Sequence, residues 1–303
     1  MALHVVGHDG TDRGDDAVAL ARRLSGLYKA ELLAVHVVGM PPTRDRFTGP
    51  VLDRLEDAAG VVLARARRGL EDIPGPAPRA VHASSPAAGL QAVCEAEGAG
   101  LVTVGPTHRG PVGRVLAGTT AERLLSGAPC PVALAPRGYA EGGRSLERVV
   151  AGYDGGEESG LALKVAAELA SLAGVGLRVV VVAEPASAFM TPTTADLAEV
   201  IERSAQEHAE QLVTEGVGRI TADIVVERDI VRGEPGSALA SAARATRDLL
   251  VVGSRRYGPV RSVLVGTVGH HLAHSATCPV LIVPRGVETG RAGEVLAAST
   301  ARS

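Results

Sequence analysis

The sequence predicts an α/β protein made of two tandem doubly wound parallel sheets, about five strands in each. Three observations lead there. One unit occurs twice: "LHVVGHDGTDRGDDAVALARRL" near the start matches "ERVVAGYDGGEESGLALKVAAEL" from Glu147. Later, "LVTVGPTHRGPVGRVLAGTTAERLLSGAPCPVALAPRG" matches "LLVVGSRRYGPVRSVLVGTVGHHLAHSATCPVLIVPRG" with only a few residues of insertion, which is a duplication. Within each copy, short β-branched runs alternate with segments of helical apolar period, the pattern of strand–helix–strand crossovers. Several strand segments are apolar throughout, as strands are when helices cover both faces of the sheet.

The second copy gives the order of elements. "RVVAGY" reads as a strand, "EESGLALKVAAELASLA" as an amphipathic helix and "LRVVVVA" as the next strand. A helix over roughly residues 194–215 follows, then the strand "ADIVVE", the helix "GSALASAARAT" and the strand "DLLVVG". A helix from about Thr267 and the strand "PVLIVP" complete the unit. The polar, glycine-containing "RGYAEGGRSLE" reads as the linker. The organisation is therefore a first domain over 1–140, a second over 146–286, and a tail over 287–303 whose lack of apolar period predicts fraying.

Composition narrows the function. The chain has 303 residues, 46% of them apolar and only 2% aromatic, so its core is Val, Leu and Ala. A net charge of −3 argues against a general nucleic-acid binder or a binder of anionic membranes. Neither a signal-peptide pattern at the N-terminus nor a run of membrane-spanning length is evident, so the expected location is the cytoplasm. Cys94, Cys130 and Cys278 include no CxxC pair, and read as small buried residues rather than zinc ligands or disulfide partners. His270 and His274 share a helix face at i, i+4, but without a Glu between them or a third ligand in nearby sequence they predict no metal site. Ser84-Ser85 before Pro86 reads as a helix cap, and the acidic "DRGDD" at 12–16 suits a helix N-terminus. No G-x-S-x-G elbow or spaced Ser/His/Asp set appears, so no catalytic residue is assigned and the protein is not expected to be an enzyme.

The chemistry-bearing stretches are the two glycine-rich segments. G-x-G-x-x-G is absent, which excludes a dinucleotide fingerprint. Gly105 and Gly110, and again Gly253 and Gly258, show G-x-x-x-x-G, but Pro-Val follows where a P-loop needs Lys-Ser or Lys-Thr. What remains is a strand ending in Gly, a short basic loop, then Gly-Thr opening a helix. Free N–H groups and nearby arginines, Arg255, Arg256 and Arg261, would suit a phosphate. A plain turn with an N-cap would produce the same pattern.

With these residues, both copies resemble the universal stress protein family, whose signature is G-x2-G-x9-G-[S/T] with "CPV" leading into the last strand. Gly253, position 256 and Gly266-Thr267 have that spacing, as do Gly105, position 108 and Gly118-Thr119. Asp9 and Asp154, each closing an early strand, are similar to the family too. The resemblance covers residues 1 to 285 and implies a Rossmann-like, adenine-nucleotide-binding fold. It implies that Asp154 faces ribose or adenine, that Val182 and Val252 line adenine, and that Gly253, Gly266, Thr267 and Val268 hold the phosphates. The corresponding first-copy positions are Asp9, Val37, Val104, Gly105, Gly118, Thr119 and Thr120.

The signature is broken at one glycine in each copy, where Arg256 and His108 stand. Arg256 could turn outward and pair with a phosphate instead. Gly269 and Ala121 replace a serine common in the family. Only the second copy keeps the acidic residue common before the fourth strand, Asp248, which makes it the better nucleotide candidate. The resemblance implies a cytoplasmic regulator of stress response that binds ATP, with or without magnesium, and does not turn it over rapidly. It further implies that "PVALAP" and "PVLIVP" pair with each other as an intramolecular pseudo-dimer, a pairing that could extend to a dimer of chains. The alternatives are an interaction module without nucleotide and, third, a weak ATPase.

Overall fold

The computed structural model describes residues 2–39, 49–107, 112–142, 145–185, 195–244, 247–254 and 266–284. The first copy runs β1 (Leu3–Gly7), α1 (Asp12–Tyr28), β2 (Glu31–Gly39), α2 (Gly49–Arg68), β3 (Arg79–Ala83), α3 (Pro86–Glu97), β4 (Leu101–Val104), α4 (Thr119–Leu125) and β5 (Val132–Leu134). The second repeats it as β6 (Arg148–Gly152), α5 (Glu157–Ala173), β7 (Gly176–Ala183), α6 (Ala195–Gly218), β8 (Val226–Arg232), α7 (Pro235–Ala242), β9 (Asp248–Gly253), α8 (Thr267–Ser275) and β10 (Val280–Val283). Local chemistry sets several ends. Ser85 caps α3 by accepting from the Ala88 N–H at 3.3 Å, with Pro86 in its first turn, and Gly98 closes it at φ 60°.

All ten strands form one sheet in the order β3-β2-β1-β4-β5-β10-β9-β6-β7-β8. Pairing is parallel within each half, and the halves meet where β5 and β10 run antiparallel, with Ile282 opposite Val132 and Leu281 opposite Ala133. The predicted pairing of the two last strands is therefore present, and it removes both apolar edges at once. A second seam reinforces it: the N–H groups of Val115 and Ala117 donate to the carbonyls of Ala276 and Ala273, each at 2.7 Å, so first-copy chain is laced to the end of α8.

Both faces of the sheet are covered. Leu90 of α3, Leu124 of α4, Leu239 of α7 and Leu272 of α8 share one core with Val5, Val102, Val150 and Ile282. On the other face Leu20 and Leu24 of α1 join Leu163 and Leu169 of α5, with Val149, Val251 and Leu281, so this layer also crosses between copies. The three cysteines are free thiols buried in the first of these cores. Burial pushes the Cys278 thiol up to about 12, consistent with inert packing residues.

Three details differ from the sequence reading. The strand expected over "ADIVVE" begins later, at Val226, and ends at Arg232. It pairs in parallel with β7 from Leu177↔Val226 to Ala183↔Arg232, and Arg178 of β7 meets Asp229 at 3.0 Å and lies 3.8 Å from Glu227. A charged strand is suited to the sheet edge it occupies. The following helix stops at Ala242 rather than running to Thr246. Finally, the last acid of "DRGDD" reaches the linker, where the buried Asp16 carboxylate accepts the N–H groups of Gly138 and Ala140, both at 2.9 Å. Among the described residues no helix is long and apolar enough to cross a membrane.

Candidate functional site

The crevice of a doubly wound sheet lies outside the carboxyl ends of its strands. In the first copy the ends of β1, β2 and β4, the turn opening α4 and the start of α1 enclose a cleft of about 570 Å³. All seven first-copy residues predicted from the signature line it: Asp9, Val37, Val104, Gly105, Gly118, Thr119 and Thr120. The lining has two characters. Val35, Val37, Leu90 and Val104 give an apolar wall, while Asp9, Arg13, Thr107, Thr119 and Thr120 supply polar groups. Such a cleft takes an amphipathic small molecule, and its volume is in the ordinary range for one.

Asp9 is held by the turn it starts. Gly10 adopts φ 83°, and the Asp9 carboxylate accepts from the Thr11 N–H at 3.0 Å, the Thr11 hydroxyl at 2.6 Å and Arg13 at 2.8 Å. Burial pushes the Asp9 carboxyl up, but the Thr11 hydrogen bonds and Arg13 outweigh it and hold it below the usual value. Arg13 thus brings a cation into the cleft that sequence reasoning missed, although its i, i+4 spacing from Asp9 was the available signal.

The two signature glycines of this copy have different physical roles. A Cβ on Gly105 would lie 2.1 Å from the Arg13 carbonyl oxygen, so this glycine is needed for α1 to seat against the end of β4. Gly118 has ordinary extended angles (φ −92°, ψ 178°), and a Cβ there would meet only Thr107 at a comfortable 3.5 Å. The fold does not require glycine at 118, and a side chain there would enter the cleft.

Behind Asp9 is a charged network. The Gly10 N–H donates to His8 Nδ1 at 3.0 Å, so the proton of this buried ring is on Nε2, which donates to Asp15 at 3.1 Å. Arg65 of α2 grips Asp15 through more than one nitrogen, Asp12 at 2.5 Å and the Gly10 carbonyl at 3.0 Å. His36 donates from Nδ1 to the His8 carbonyl at 2.9 Å and also lines the cleft. Burial pushes Asp15 up, yet the bonds from Arg65 and His8 prevail and lower it from 3.8. A carboxyl lowered by folding stabilises above its unfolded pKa, and the gain is lost as pH falls through the folded value. Stability measured by urea titration should therefore drop below about pH 4. Asp15→Asn should flatten that acid limb, and an unchanged slope would remove Asp15 from the account.

Comparison with known proteins gives the family and the fold. The model of the universal stress protein family matches residues 4–136 and again 145–284. The chain belongs to the universal stress protein family. A universal stress protein of Mycobacterium tuberculosis strain H37Rv is 29% identical over 297 residues, covering 92% of this chain and 99% of that one. One from Mycolicibacterium smegmatis is 30% identical over 288 residues, covering 92% and 96%. Among solved structures, a universal stress protein from Archaeoglobus fulgidus aligns with TM-score 0.64 at 18% identity, covering 94% of this chain and 98% of its own. A Pseudomonas aeruginosa protein aligns with TM-score 0.61 at 17% identity, covering 98% of both chains. These two share the fold.

The second universal stress protein unit brings its predicted residues to the corresponding strand ends. Asp154 follows β6, Val182 lies near the end of β7, and Val252 and Gly253 end β9. Gly266 is the N-cap of α8, with Thr267 and Val268 in its first turn. Arg256, His108, Arg255 and Arg261 lie outside the described residues. Gly253 repeats the role of Gly105, since its Cβ would lie 2.5 Å from the Glu158 carbonyl oxygen.

The polar groups differ between the units. Asp154 accepts from the Gly156 N–H at 2.9 Å and the Ser159 hydroxyl at 2.5 Å, and Glu158 stands where the first copy has Arg13. Asp248, the residue that favoured the second copy in sequence, is at the opposite end of the sheet. It is buried at the start of β9, where Arg148 donates to both its oxygens at 3.2 and 3.1 Å. Its role there is to satisfy a buried ion pair, so it gives no preference for either copy as a binding site.

Proposed function

We propose that this universal stress protein is an adenine-nucleotide-binding regulator, with ATP as the leading ligand and the first-copy cleft as one binding site. The observation that carries the reading is the convergence of all seven signature-derived residues on one cleft with an apolar wall and a polar rim. In this reading the adenine lies against Val37 and Val104, Asp9 meets the ribose, and the phosphates meet the Gly118-Thr119-Thr120 turn near Arg13. Three backbone N–H groups, two hydroxyls and a guanidinium form a donor set suited to a phosphate chain.

Regulation fits better than turnover. Asp9 is already bound by Thr11 and Arg13, and both ring nitrogens of His8 are engaged, so neither is poised as a general base. The test is calorimetric titration of ATP with magnesium into nucleotide-free protein, comparing Gly118→Glu with Gly266→Glu. Gly118→Glu places a carboxylate where the phosphates would lie and should weaken the first-copy site about 100-fold, or ~2.7 kcal/mol. Its melting temperature should hold, because nothing in the fold crowds that position. Equal ATP heats for wild type and Gly118→Glu would reject the site, and no heat in wild type would reject the ligand.

A further inference from the structure

Among the described residues one group of three metal-ligating side chains comes together, and it joins the two copies: Glu122 of α4 with His270 and His274 of α8. We infer that these three side chains form a site for a divalent transition metal of the zinc class. Glu122 also lines the first-copy cleft, but the three side chains need no nucleotide there to complete the set. One ligand atom from each residue lies within 4.8 Å of the others. Three donors around a zinc-sized ion, each ~2.1 Å from it, stand roughly 3.5 Å apart in a tetrahedral shell. Glu122 and His270 are exposed and His274 half-buried, so rotamer changes can supply the remaining contraction.

Two further observations point to a ligand rather than a simple ion pair. His274 Nε2 is buried and 3.2 Å from Glu122 Oε1, yet the angle is not that of a hydrogen bond and the nitrogen has no other partner. An ion between them would satisfy both atoms. The rings of His270 and His274 also lie side by side, 4.6 Å between centroids with their planes tilted by 46°, at the i, i+4 spacing of paired helical ligands. The framework behind the site is firm, because the Ala117 N–H donates to the Ala273 carbonyl at 2.7 Å, two residues before the turn opening α4 and one before His274.

The donor set selects the metal. Two imidazole nitrogens and one carboxylate oxygen are too soft for magnesium or calcium and suit zinc, cobalt(II) or nickel(II). Three protein ligands leave a fourth position for water. Because the donors come from both copies, the bound ion would clamp α4 to α8 across the seam.

The experiment uses the full-length, tag-free chain stripped of metal. Zinc is titrated in competition with a chromophoric chelator, and cobalt(II) is followed by its visible absorption. One zinc per chain is expected, with magnesium unable to compete. His274→Gln and Glu122→Gln should each weaken it at least tenfold and abolish the cobalt bands, whereas His271→Gln should not. Saturating zinc, at ~100 times Kd, should raise the melting temperature of wild type by about 4 °C and leave that of Glu122→Gln unmoved. Metal-free melting temperatures of the variants should match wild type, which separates lost ligands from lost fold. No stoichiometric zinc in wild type would overturn the inference. So would zinc affinity surviving in His274→Gln, or loss in His274→Gln without loss in Glu122→Gln.

Discussion

Gly105→Ala is expected to cost about 3 kcal/mol of stability, while Gly118→Ala stays within about 0.5 kcal/mol of wild type. The two glycines belong to the same signature and line the same cleft, so sequence gives no reason to separate them. Structure does. At 105 the added methyl would come within 2.1 Å of the Arg13 carbonyl oxygen, a backbone atom that cannot yield without moving the first turn of α1. That turn carries Asp15 of the Arg65 network and leads directly into Asp16, which anchors the linker, so the strain has no soft outlet. At 118 the methyl meets Thr107 at 3.5 Å, an ordinary contact. With no Trp in the chain, the measurement is urea denaturation followed by far-ultraviolet circular dichroism. Equal stability for wild type and Gly105→Ala would show that α1 is not seated as described.

Ile282→Ala should remove about 4 kcal/mol and should lower the unfolding of both halves together. Ile282 is fully buried on β10 opposite Val132 of β5, at the antiparallel seam that joins the halves. Two layers of core also cross this seam: Leu124 and Leu272 share one cluster, and Leu20 and Leu169 the other. With cores shared in this way, one half should not unfold and leave the other intact. The expected curve is a single transition displaced to lower urea. Two separated transitions, only one of them moved by Ile282→Ala, would contradict a cooperative ten-stranded unit.

Much of the fold was legible because repetition reinforced local signals. The helix predicted over "EESGLALKVAAELASLA" and the strand "DLLVVG" are found at those residues, the helix closed by Gly174 at φ 64°. The strand expected over "ADIVVE" is present as β8 but starts four residues later, because the apolar Ile224-Val225 precedes the charged stretch that pairs with β7. The cleft was legible through the family resemblance at seven positions, but not at Arg13, His36 or Leu90, which that resemblance did not mark. Asp248 was given weight as a binding signal through the family resemblance, although a residue that opens a strand lies at the end away from the crevice. Glu122 and His274 show a limit of another kind. They are far apart in the chain and meet only because β5 and β10 pair.

The decisive observation is where an adenine nucleotide lies. Photoaffinity labelling of the full chain with 8-azido-ATP, followed by peptide mapping, reads that position directly. The expected result is label on peptides carrying Val37 or Val104, suppressed by excess ATP and absent in Gly118→Glu. Label that ATP does not suppress, or label found only outside both predicted clefts, would contradict the nucleotide reading and leave the cleft to another ligand.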